Sequence, residues 1–251
     1  MDALVTTRRL GHVLVVEMRR EDKRNAVNRE LADALDAAFN ELEDDTELWA
    51  GVLTGTPKAF SAGSDLAAGG DYYTERGGEY AIIRRRRRKP LIAAVEGIAF
   101  GGGMEIVLAC DLVVAASSAR FGLPEVKRGV LPTCAALFRA PNALPLNLAR
   151  EMVLTGEPID AVRAYNAGFV NQLTEPGATV DAAIAMAERI CSNAPLSVQA
   201  SLQAMNDYVG AGDGFGWEVT VRAREVISGS QDTAEGIKAF FEKRPPQWTA
   251  R

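Results

Sequence analysis

The first half of the chain alternates short apolar runs with segments of helical pattern. Four runs, rich in valine, isoleucine and leucine, have the length and composition of buried strands. They are HVLVVEM, AGVLTG, LIAAVEG and LVVAAS. Helical patterns lie between them in NRELADALDAAFNELEDD, GGEYAIIRRRRRK and GMEIVLAC. Strands that alternate with helices predict an α/β layer architecture with parallel pairing.

From about Pro141 the pattern changes to successive helices separated by glycine and proline. The predicted helical segments are LNLAREMVLTG, DAVRAYNAG, TVDAAIAMAERICSNAP, LSVQASLQAMNDYVG, GWEVTVRAREVISG and TAEGIKAFFEKRPPQW. We therefore predict an α/β core over residues 1–190, followed by a helical C-terminal region over residues 191–251. The apolar faces of that region can pack on a neighbouring subunit or on the core.

Composition narrows the class of protein. The chain has 251 residues, of which 47% are hydrophobic, and a net charge of −5. The length and the hydrophobic fraction allow one large core. The negative net charge excludes binding of polyanions by the whole surface. No apolar run suits a signal peptide or a membrane span. Three cysteines without a CxxC motif disfavour disulfides and zinc sites, so we expect a cytoplasmic protein without a metal.

His12 is the single histidine of the chain. It lies in GHVLVVEM, where the alternating pattern predicts an exposed position on a strand. A Ser-His-Asp triad, a Cys-His pair or a multi-histidine metal site is then hard to build. If the protein is an enzyme, carboxylates are expected to carry its acid–base chemistry.

The segment FGGGME predicts a glycine turn that leads into a helix near Met104. Glycines there let a ligand approach the backbone, and the first amides of a helix lack internal partners. Such an end can hold an anion or an oxygen that is becoming one. The segment lacks the spacing of G-x-G-x-x-G and the ending G-K-[ST], so a nucleotide phosphate is disfavoured.

The segment FSAGSDL forms a second candidate loop, because it follows the apolar strand AGVLTG. Gly63 and Ser64 are expected at the carboxyl end of that strand, where open α/β sheets bind ligands. Asp65 could cap local amides. One amide from each loop would form an oxyanion hole if the fold brought the loops together. The alternative is two tight turns without a ligand.

Taken together, these segments resemble the crotonase (enoyl-CoA hydratase/isomerase) family. The resemblance runs through FSAGSDL, KPLIAAVEGIAFGGGMEIVLACDLVVAASSARFGLPEVKRG, EMVLTGEPIDAVRAYNAGFVNQL and FFEKRPPQW. It implies an α/β spiral of ββα units, a helical trimerisation region, and acyl-CoA thioesters as substrates. It also implies that the amides of Ser64 and Gly102 hold the thioester oxygen. No separate cofactor is expected, since coenzyme A is part of the substrate, and the subunits are expected to form trimers or hexamers.

Hydratases of this family use two glutamates, and the matching positions are Glu105, after the glycine run, and Glu125, at the end of FGLPE. Adding water across a 2-enoyl-CoA requires one group to take a proton and another to give one. We assign Glu105 mainly to activation of water and Glu125 mainly to protonation at Cα. The alternative is that both are ordinary carboxylates in the first turn of a helix.

The segment VLPTCAALFRA departs from the family pattern. Thr133, Cys134, Ala135 and Ala136 stand where relatives commonly have glycines, near the water and the acyl chain. The acyl group is therefore left open. The segment also resembles the carnitinyl-CoA dehydratase branch, and a Δ3–Δ2 isomerase is a further option. Cys134 has no base beside it in sequence, so we expect it to pack rather than to act as a nucleophile.

The run RRRRRK, residues 84–89, allows three interpretations. It could be a solvated helix, a site that attracts the phosphates of coenzyme A, or a nucleic-acid contact. We expect no nucleic-acid or membrane partner. From the resemblance, the predicted contacts with coenzyme A are Lys23, Arg24, Ala26, Ala62, Asp65, Leu66 and, from a neighbouring subunit, Lys243.

The sequence thus predicts a lyase that hydrates a 2-enoyl-CoA reversibly, in fatty-acid or related acyl-CoA metabolism. A carnitinyl-CoA dehydratase or an isomerase is the alternative within the family. The alternative that is not an enzyme is a non-catalytic protein that binds acyl-CoA or nucleic acid.

Overall fold

The computed structural model describes residues 3–70 and 72–250; the outermost residues of the predicted core and C-terminal region, 1 and 251, lie outside this part. All four predicted strands are confirmed, as β2, β3, β7 and β9 below. The strands are β1 (Val5–Leu10), β2 (Val13–Met18), β3 (Ala50–Thr54), β4 (Ala59–Ser61), β5 (Tyr73–Thr74), β6 (Gly78–Glu79), β7 (Leu91–Val95), β8 (Ile98–Phe100), β9 (Leu112–Ala116), β10 (Arg120–Gly122), β11 (Ile159–Asp160) and β12 (Gln172–Thr174).

The helices follow the predicted division into an alternating first half and a helical second half. They are α1 (Arg29–Asp44), α2 (Gly102–Leu108), α3 (Ala136–Ala143), α4 (Leu146–Thr155), α5 (Ala161–Asn166), α6 (Thr179–Cys191), α7 (Pro195–Val209), α8 (Asp213–Ile227) and α9 (Gln231–Glu242). The sequence pattern did not predict α3. Helix α1 begins where the Asn28 side chain accepts a hydrogen bond from the Leu31 amide, an ordinary N-cap.

Two larger sheets organise the first half of the chain. One has six strands in the order β1-β2-β3-β7-β9-β12, and the other has four in the order β11-β10-β8-β4. Strands β2, β3, β7, β9 and β12 pair in parallel with their neighbours, whereas β1 pairs with β2 antiparallel. A third, two-stranded sheet pairs β5 with β6.

The chain passes from the six-stranded sheet to the four-stranded sheet three times in the same way. Strand β3 of the six-stranded sheet is followed by β4 of the four-stranded sheet, β7 by β8, and β9 by β10. Helix α2 follows β8 directly. The result is the spiral of ββα units that the resemblance implied, and it stacks the ends of β4 and β8 beside each other.

Alternation along the strands separates two layers of core. Leu14, Val16 and Leu53 lie in the cluster shared with α1, while Val13 and Val52 lie in the cluster covered by α6. Both faces of the six-stranded sheet are therefore buried, as expected of parallel strands that read as continuous apolar runs.

Alternate side chains of the basic run, those of Arg85, Arg87 and Lys89, turn inward, and the solvated-helix interpretation is wrong. Residues 80–84 form turns rather than a helix. Five of the six basic side chains pair with carboxylates or carbonyl oxygens: Arg84 with Glu79, Arg85 with Asp36, Arg87 with Asp111, Arg88 with Glu43, and Lys89 with the carbonyl oxygens of Leu42 and Asp45. Most of this charge is neutralised within the fold.

His12 also differs from the prediction. It lies in the turn between β1 and β2, half-buried, with its ring stacked on Trp49 at a centroid distance of 3.6 Å. The carbonyl oxygen of Glu47 is 2.6 Å from its Nδ1 atom. The alternating pattern predicted a strand that begins at His12, whereas β2 begins one residue later, at Val13.

Replacing Arg87 with methionine is expected to destabilise the fold by about 3–5 kcal/mol, because it leaves the Asp111 carboxylate, whose side chain is 13% exposed, without its ion pair. Arg87 donates to both oxygens of Asp111 and to the carbonyl oxygen of Ala109. Urea unfolding measures the effect, with Arg76→Met at the exposed Asp44 pair as the control that changes little. An Arg87→Met protein that unfolds at the wild-type urea concentration would contradict this role.

The helical C-terminal region carries many exposed apolar side chains. They include Leu196, Tyr208, Phe215, Val226 and Phe241. Helix α8 contacts α3, and α9 contacts the short 3-10 helix Pro124–Arg128. Helix α6, which covers the six-stranded sheet, ends at Cys191, next to the predicted boundary. Within residues 3–70 and 72–250 no helix combines the length and apolarity that crossing a bilayer requires.

Candidate active site

The turn Gly101–Gly103 connects β8 to α2. Gly101 adopts a φ of +56°, a conformation that favours glycine, and its amide donates to the carbonyl oxygen of Gly122 at 2.9 Å. A methyl group added at Gly103 would lie 2.2 Å from the carbonyl oxygen of Ser61. Only glycine lets the start of α2 approach β4 this closely.

The turn after β4 meets the start of α2. Gly63 has a φ of +92°, and a methyl group added there would lie 2.7 Å from the Gly102 nitrogen. Ser61 fixes this turn, because its Oγ atom accepts from the Gly63 amide at 3.1 Å and donates to the Asn25 carbonyl at 2.8 Å. The two loops that the sequence singled out are therefore in contact.

The amides of Ser64 and Gly102 are available to a ligand. Gly102 is the first residue of α2, so its amide has no intrahelical partner. Among the hydrogen bonds of the described residues, neither amide has an acceptor. The neighbouring amide of Asp65 is taken by the carbonyl oxygen of Val27 at 2.9 Å. An oxyanion hole requires donors of this kind, backbone amides without an acceptor on adjoining turns.

Glu105 lies in the first turn of α2 and is 2% exposed. Its Oε1 atom accepts hydrogen bonds from the amides of Cys134 at 2.7 Å and Ala136 at 3.2 Å. Between them, Ala135 adopts a φ of +80°, although it is not glycine. The segment that departs from the family pattern therefore holds this carboxyl group through its backbone.

Glu125 lies on the 3-10 helix Pro124–Arg128, which follows β10. Its Oε1 atom would be 3.1 Å from a methyl group added at Gly101, so the carboxyl group lies against the glycine turn. Its Oε2 atom is buried and has no hydrogen-bond partner among residues 3–70 and 72–250. A buried oxygen without a partner is expensive unless a ligand or a proton engages it.

Burial raises the pKa of both carboxyl groups, and the charge of Glu125 adds to the shift at Glu105. Burial raises the pKa of Glu125 to about 7, opposed by a backbone amide and Arg128. Burial, and then the charge of Glu125, raises the pKa of Glu105 to about 8, against the amides of Ala136 and Cys134. With both pKa values raised towards neutrality, the pair holds a single shared proton near neutral pH.

The predicted coenzyme A contacts occupy two adjoining loops, apart from Lys243. The Ala62 amide donates to the carbonyl oxygen of Arg24 at 2.9 Å, which joins the loop after β2 to the loop after β4. Lys23, Arg24 and Leu66 are exposed, Ala62 is half-buried, and Ala26 and Asp65 are buried. Lys243 is exposed and lines a cavity of about 260 Å³ with Lys127 and Arg128.

Asp65 is engaged within the fold. Its carboxylate pairs with Arg20 at 2.7 Å and accepts from the Ala67 amide at 3.1 Å. Burial opposes ionisation, but Arg20 and the amides hold the pKa of Asp65 below its usual value. Arg20 also donates to the carbonyl oxygen of Ala26, so Asp65 braces the two loops against each other.

Cys134 is buried, and its thiol is not poised for nucleophilic attack. Burial, and then the charge of Glu105, raises the pKa of the Cys134 thiol far above its ordinary value. The thiol is therefore protonated at neutral pH, and the side chain packs as expected. The cysteines of the chain are all free.

Two tyrosines border the site, and sequence reasoning missed both. Tyr80 is 2% exposed, and its ring stacks on that of Tyr72 at a centroid distance of 4.4 Å. Their position depends on a turn with left-handed residues at Tyr80 and Ala81, and no local signal in the sequence marks that turn.

Comparison with known proteins identifies the chain. The family model described as enoyl-CoA hydratase/isomerase matches residues 8–251. The chain belongs to this family. The crotonase resemblance drawn from the sequence motifs is therefore confirmed, and the spiral of strands is the fold of this family.

Relatives within the family match the whole chain. A putative enoyl-CoA hydratase of Thermus thermophilus is 37% identical over 249 residues, covering 95% of this chain and 98% of its own. The 2,3-dehydroadipyl-CoA hydratase of Escherichia coli is 35% identical, and both chains are covered completely. The crystal structure of a carnitinyl-CoA hydratase from Mycobacterium avium superposes with a TM-score of 0.94, at 43% identity and full coverage of both chains.

Proposed function

We propose that the protein is an enoyl-CoA hydratase-type lyase, which adds water reversibly across the double bond of a 2-enoyl-CoA thioester. The observation that carries the proposal is the pair of Glu105, which is buried, and Glu125, whose Oε2 atom is buried, beside two adjoining turns with unpaired amides. Many chemistries use an oxyanion hole, but the addition of water also needs a group that takes a proton and one that gives it.

The reaction can be followed with the residues present. The Glu105 carboxylate takes a proton from water as the water oxygen bonds to Cβ, and the electrons of the double bond move towards the thioester oxygen. The amides of Ser64 and Gly102 stabilise the charge that develops there. A proton then reaches Cα from the acid pair, so the substrate gains one water molecule. Coenzyme A is part of the substrate, and the proposed steps use no separate cofactor.

Hydration and dehydration require the shared proton on different carboxyl groups at the start of the reaction. The pKa values of Glu105 and Glu125 are both raised towards neutrality, so the pair shares a proton there. Dehydration starts with the proton on Glu105, which protonates the leaving hydroxyl while Glu125 removes the Cα proton. Hydration starts with the proton on Glu125 and with Glu105 as the base. We propose that both directions run through exchange of this proton between the two carboxyl groups.

Residues 133–136 bear on which acyl group the pocket accepts. Cys134 and the two alanines occupy space that glycines leave open in relatives, which favours a reshaped pocket. Structural similarity to a carnitinyl-CoA hydratase supports a substituted acyl group as the alternative to a plain chain. Isomerisation remains the second candidate within the family, since a proton shuttle needs fewer groups than hydration.

We propose further that subunits associate as trimers or hexamers in the cytoplasm. The exposed apolar side chains of α7, α8 and α9 support association, because a surface this apolar is uncommon on a monomer. Lys243 lies at the end of α9, where it could reach coenzyme A bound to a neighbouring subunit. The division of the chain into core and oligomerisation region also stays a proposal.

The pH dependence of kcat/KM is expected to be bell-shaped, with limbs near the two pKa values of about 7 and about 8. Below the lower limb both carboxyl groups are protonated, and above the upper limb both are ionised. In a Glu125→Gln protein the residual activity should show one limb, shifted to lower pH, because the charge that raised the pKa of Glu105 is gone. A profile without either limb would contradict the paired titration.

A panel of thioesters tests the function. Purified protein is mixed with crotonyl-, octenoyl-, crotonobetainyl- and 3-enoyl-CoA, and products are followed by mass spectrometry. Hydration adds the mass of one water to at least one 2-enoyl-CoA. Migration of the double bond without a change in mass would favour the isomerase, and binding without turnover would favour a non-catalytic acyl-CoA protein.

A further inference from the structure

The Tyr80 hydroxyl lies between the two residues whose amides form the proposed oxyanion hole. Its Oη atom is 2.7 Å from Ser64 Oγ. A methyl group added at Gly102 would lie 2.3 Å from the same Oη atom, so the hydroxyl is in contact with the Gly102 backbone. The Tyr72 hydroxyl is a hydrogen-bonding neighbour of both Ser64 and Tyr80.

The fold holds this side chain in place at a conformational cost. Tyr80 and Ala81 adopt φ values of +53° and +65°, which side chains larger than glycine rarely adopt. The Tyr80 amide donates to the carbonyl oxygen of Tyr72 at 2.9 Å, and the two rings stack. Two consecutive left-handed residues without glycine are strained, and such strain persists where surrounding contacts fix it.

The hydroxyl remains a donor over the working pH range. Burial, and then nearby Cys134 and Glu105, raises the pKa of Tyr80 well above its ordinary value. The hydroxyls of Ser64 and Tyr72 can donate to Tyr80 Oη, and the Tyr80 proton then goes to the Cys134 sulfur or to a ligand oxygen. Hydrogen bonds arranged in such a chain polarise one another and strengthen the terminal donor.

We propose that Tyr80 is a third donor of the oxyanion hole, which hydrogen-bonds the thioester oxygen alongside the amides of Ser64 and Gly102. The inference rests on the proposed function, since it assigns the hydroxyl to the same oxygen. A donor that is already in place when charge develops stabilises the transition state more than the ground state.

Tyr80→Phe tests the proposal, because it keeps the stacked ring and removes only the hydroxyl. The expected result is a kcat lower by roughly 10- to 100-fold, with KM changed little, for every acyl chain that the enzyme accepts. Tyr73→Phe is the matched control, since Tyr73 lies on the same segment with its side chain exposed. It should retain wild-type kinetics.

A spectroscopic measurement separates this role from a packing role. In the Glu105→Gln, Glu125→Gln protein, crotonyl-CoA should bind without turnover, and the infrared band of its carbonyl should shift to lower wavenumber than in water. Adding Tyr80→Phe should move the band part of the way back. Ser64→Ala keeps the backbone amide but removes the hydroxyl behind Tyr80, so it should move the band less.

Several outcomes would overturn the proposal. An unchanged carbonyl band and unchanged kcat in Tyr80→Phe would show that the hydroxyl does not touch the oxygen. A loss confined to acyl groups with polar substituents would make Tyr80 a selector of substrates, and a faster Tyr80→Phe enzyme would make it an obstruction. If wild-type protein hydrates no thioester, the proposed function fails and this inference fails with it.

Discussion

Replacing both Glu105 and Glu125 with glutamine is expected to lower kcat for hydration of the preferred 2-enoyl-CoA by roughly 10⁴-fold or more. Each carboxyl group on its own contributes about 10²–10⁴ to proton transfer. The single variants should each lose most of the activity, because the two groups share one proton and act as a unit. Steady-state hydration followed at the enoyl-thioester absorbance measures the effect.

Glu96→Gln provides a matched control for the double variant. Glu96 is also a buried glutamate, but its Oε1 atom accepts from the Gly177 amide and the Thr179 hydroxyl, each at 2.8 Å. A glutamine carbonyl can accept both bonds, so the variant should keep the wild-type kcat. Undiminished hydration by the double glutamine variant would exclude the assignment of the acid pair.

The double variant should fold, and it should be more stable than wild type at neutral pH. A carboxyl group whose pKa is raised by folding opposes folding at any pH above its unfolded pKa of about 4.3, because the unfolded chain gains by ionising it. For Glu105, with a folded pKa of about 8, the gain near pH 7 is on the order of 2–4 kcal/mol. Below about pH 4.3 the difference should vanish. Loss of activity in a stabilised protein cannot be attributed to unfolding.

Gly102→Ala is expected to lower kcat/KM by about 10²–10³-fold, comparable to the loss of one oxyanion donor. The added methyl group would lie 2.3 Å from Tyr80 Oη and 2.4 Å from the ring carbon that carries it. The ring is buried and stacked on Tyr72, so it has little room to give way. Either the Gly102 amide or the tyrosine must leave its place, and each movement opens the oxyanion hole.

Gly214→Ala is the control for this substitution. Gly214 lies within α8, and a methyl group added there meets no atom within 4 Å. Alanine favours a helix over glycine, so that variant should be fully active and no less stable. Gly102→Ala with activity within a few-fold of wild type would show that the turn does not have to approach Tyr80 and the thioester this closely.

Local patterns in the sequence predicted the scaffold well. Each predicted strand of the six-stranded sheet is a run of apolar residues buried on both faces, and such runs can be recognised without knowing their neighbours. Helix α1 could be recognised by the spacing of its apolar residues. Gly102, Glu105 and Glu125 could be found because they lie in motifs with fixed order along the chain.

The rest depends on contacts between distant parts of the chain. The basic run looks solvated in sequence, but its carboxylate partners other than Glu79 lie 24 to 49 residues away along the chain, as Asp36 and Asp111 do. Tyr80 reaches Ser64 and Gly102 only because two left-handed residues turn the chain inward. The backbone amides that hold Glu105 belong to Cys134 and Ala136, in the segment that departs from the family pattern. A contact made by a backbone amide does not depend on the side chain, so the sequence gives no signal for it.

The most direct test is a crystal structure of the Glu105→Gln, Glu125→Gln protein with crotonyl-CoA bound. The thioester oxygen is expected about 2.7–3.1 Å from the amide nitrogens of both Ser64 and Gly102. The side chains at 105 and 125 should face Cα and Cβ of the acyl group. A thioester oxygen that contacts neither amide, or an acyl group bound away from those two side chains, would contradict the account.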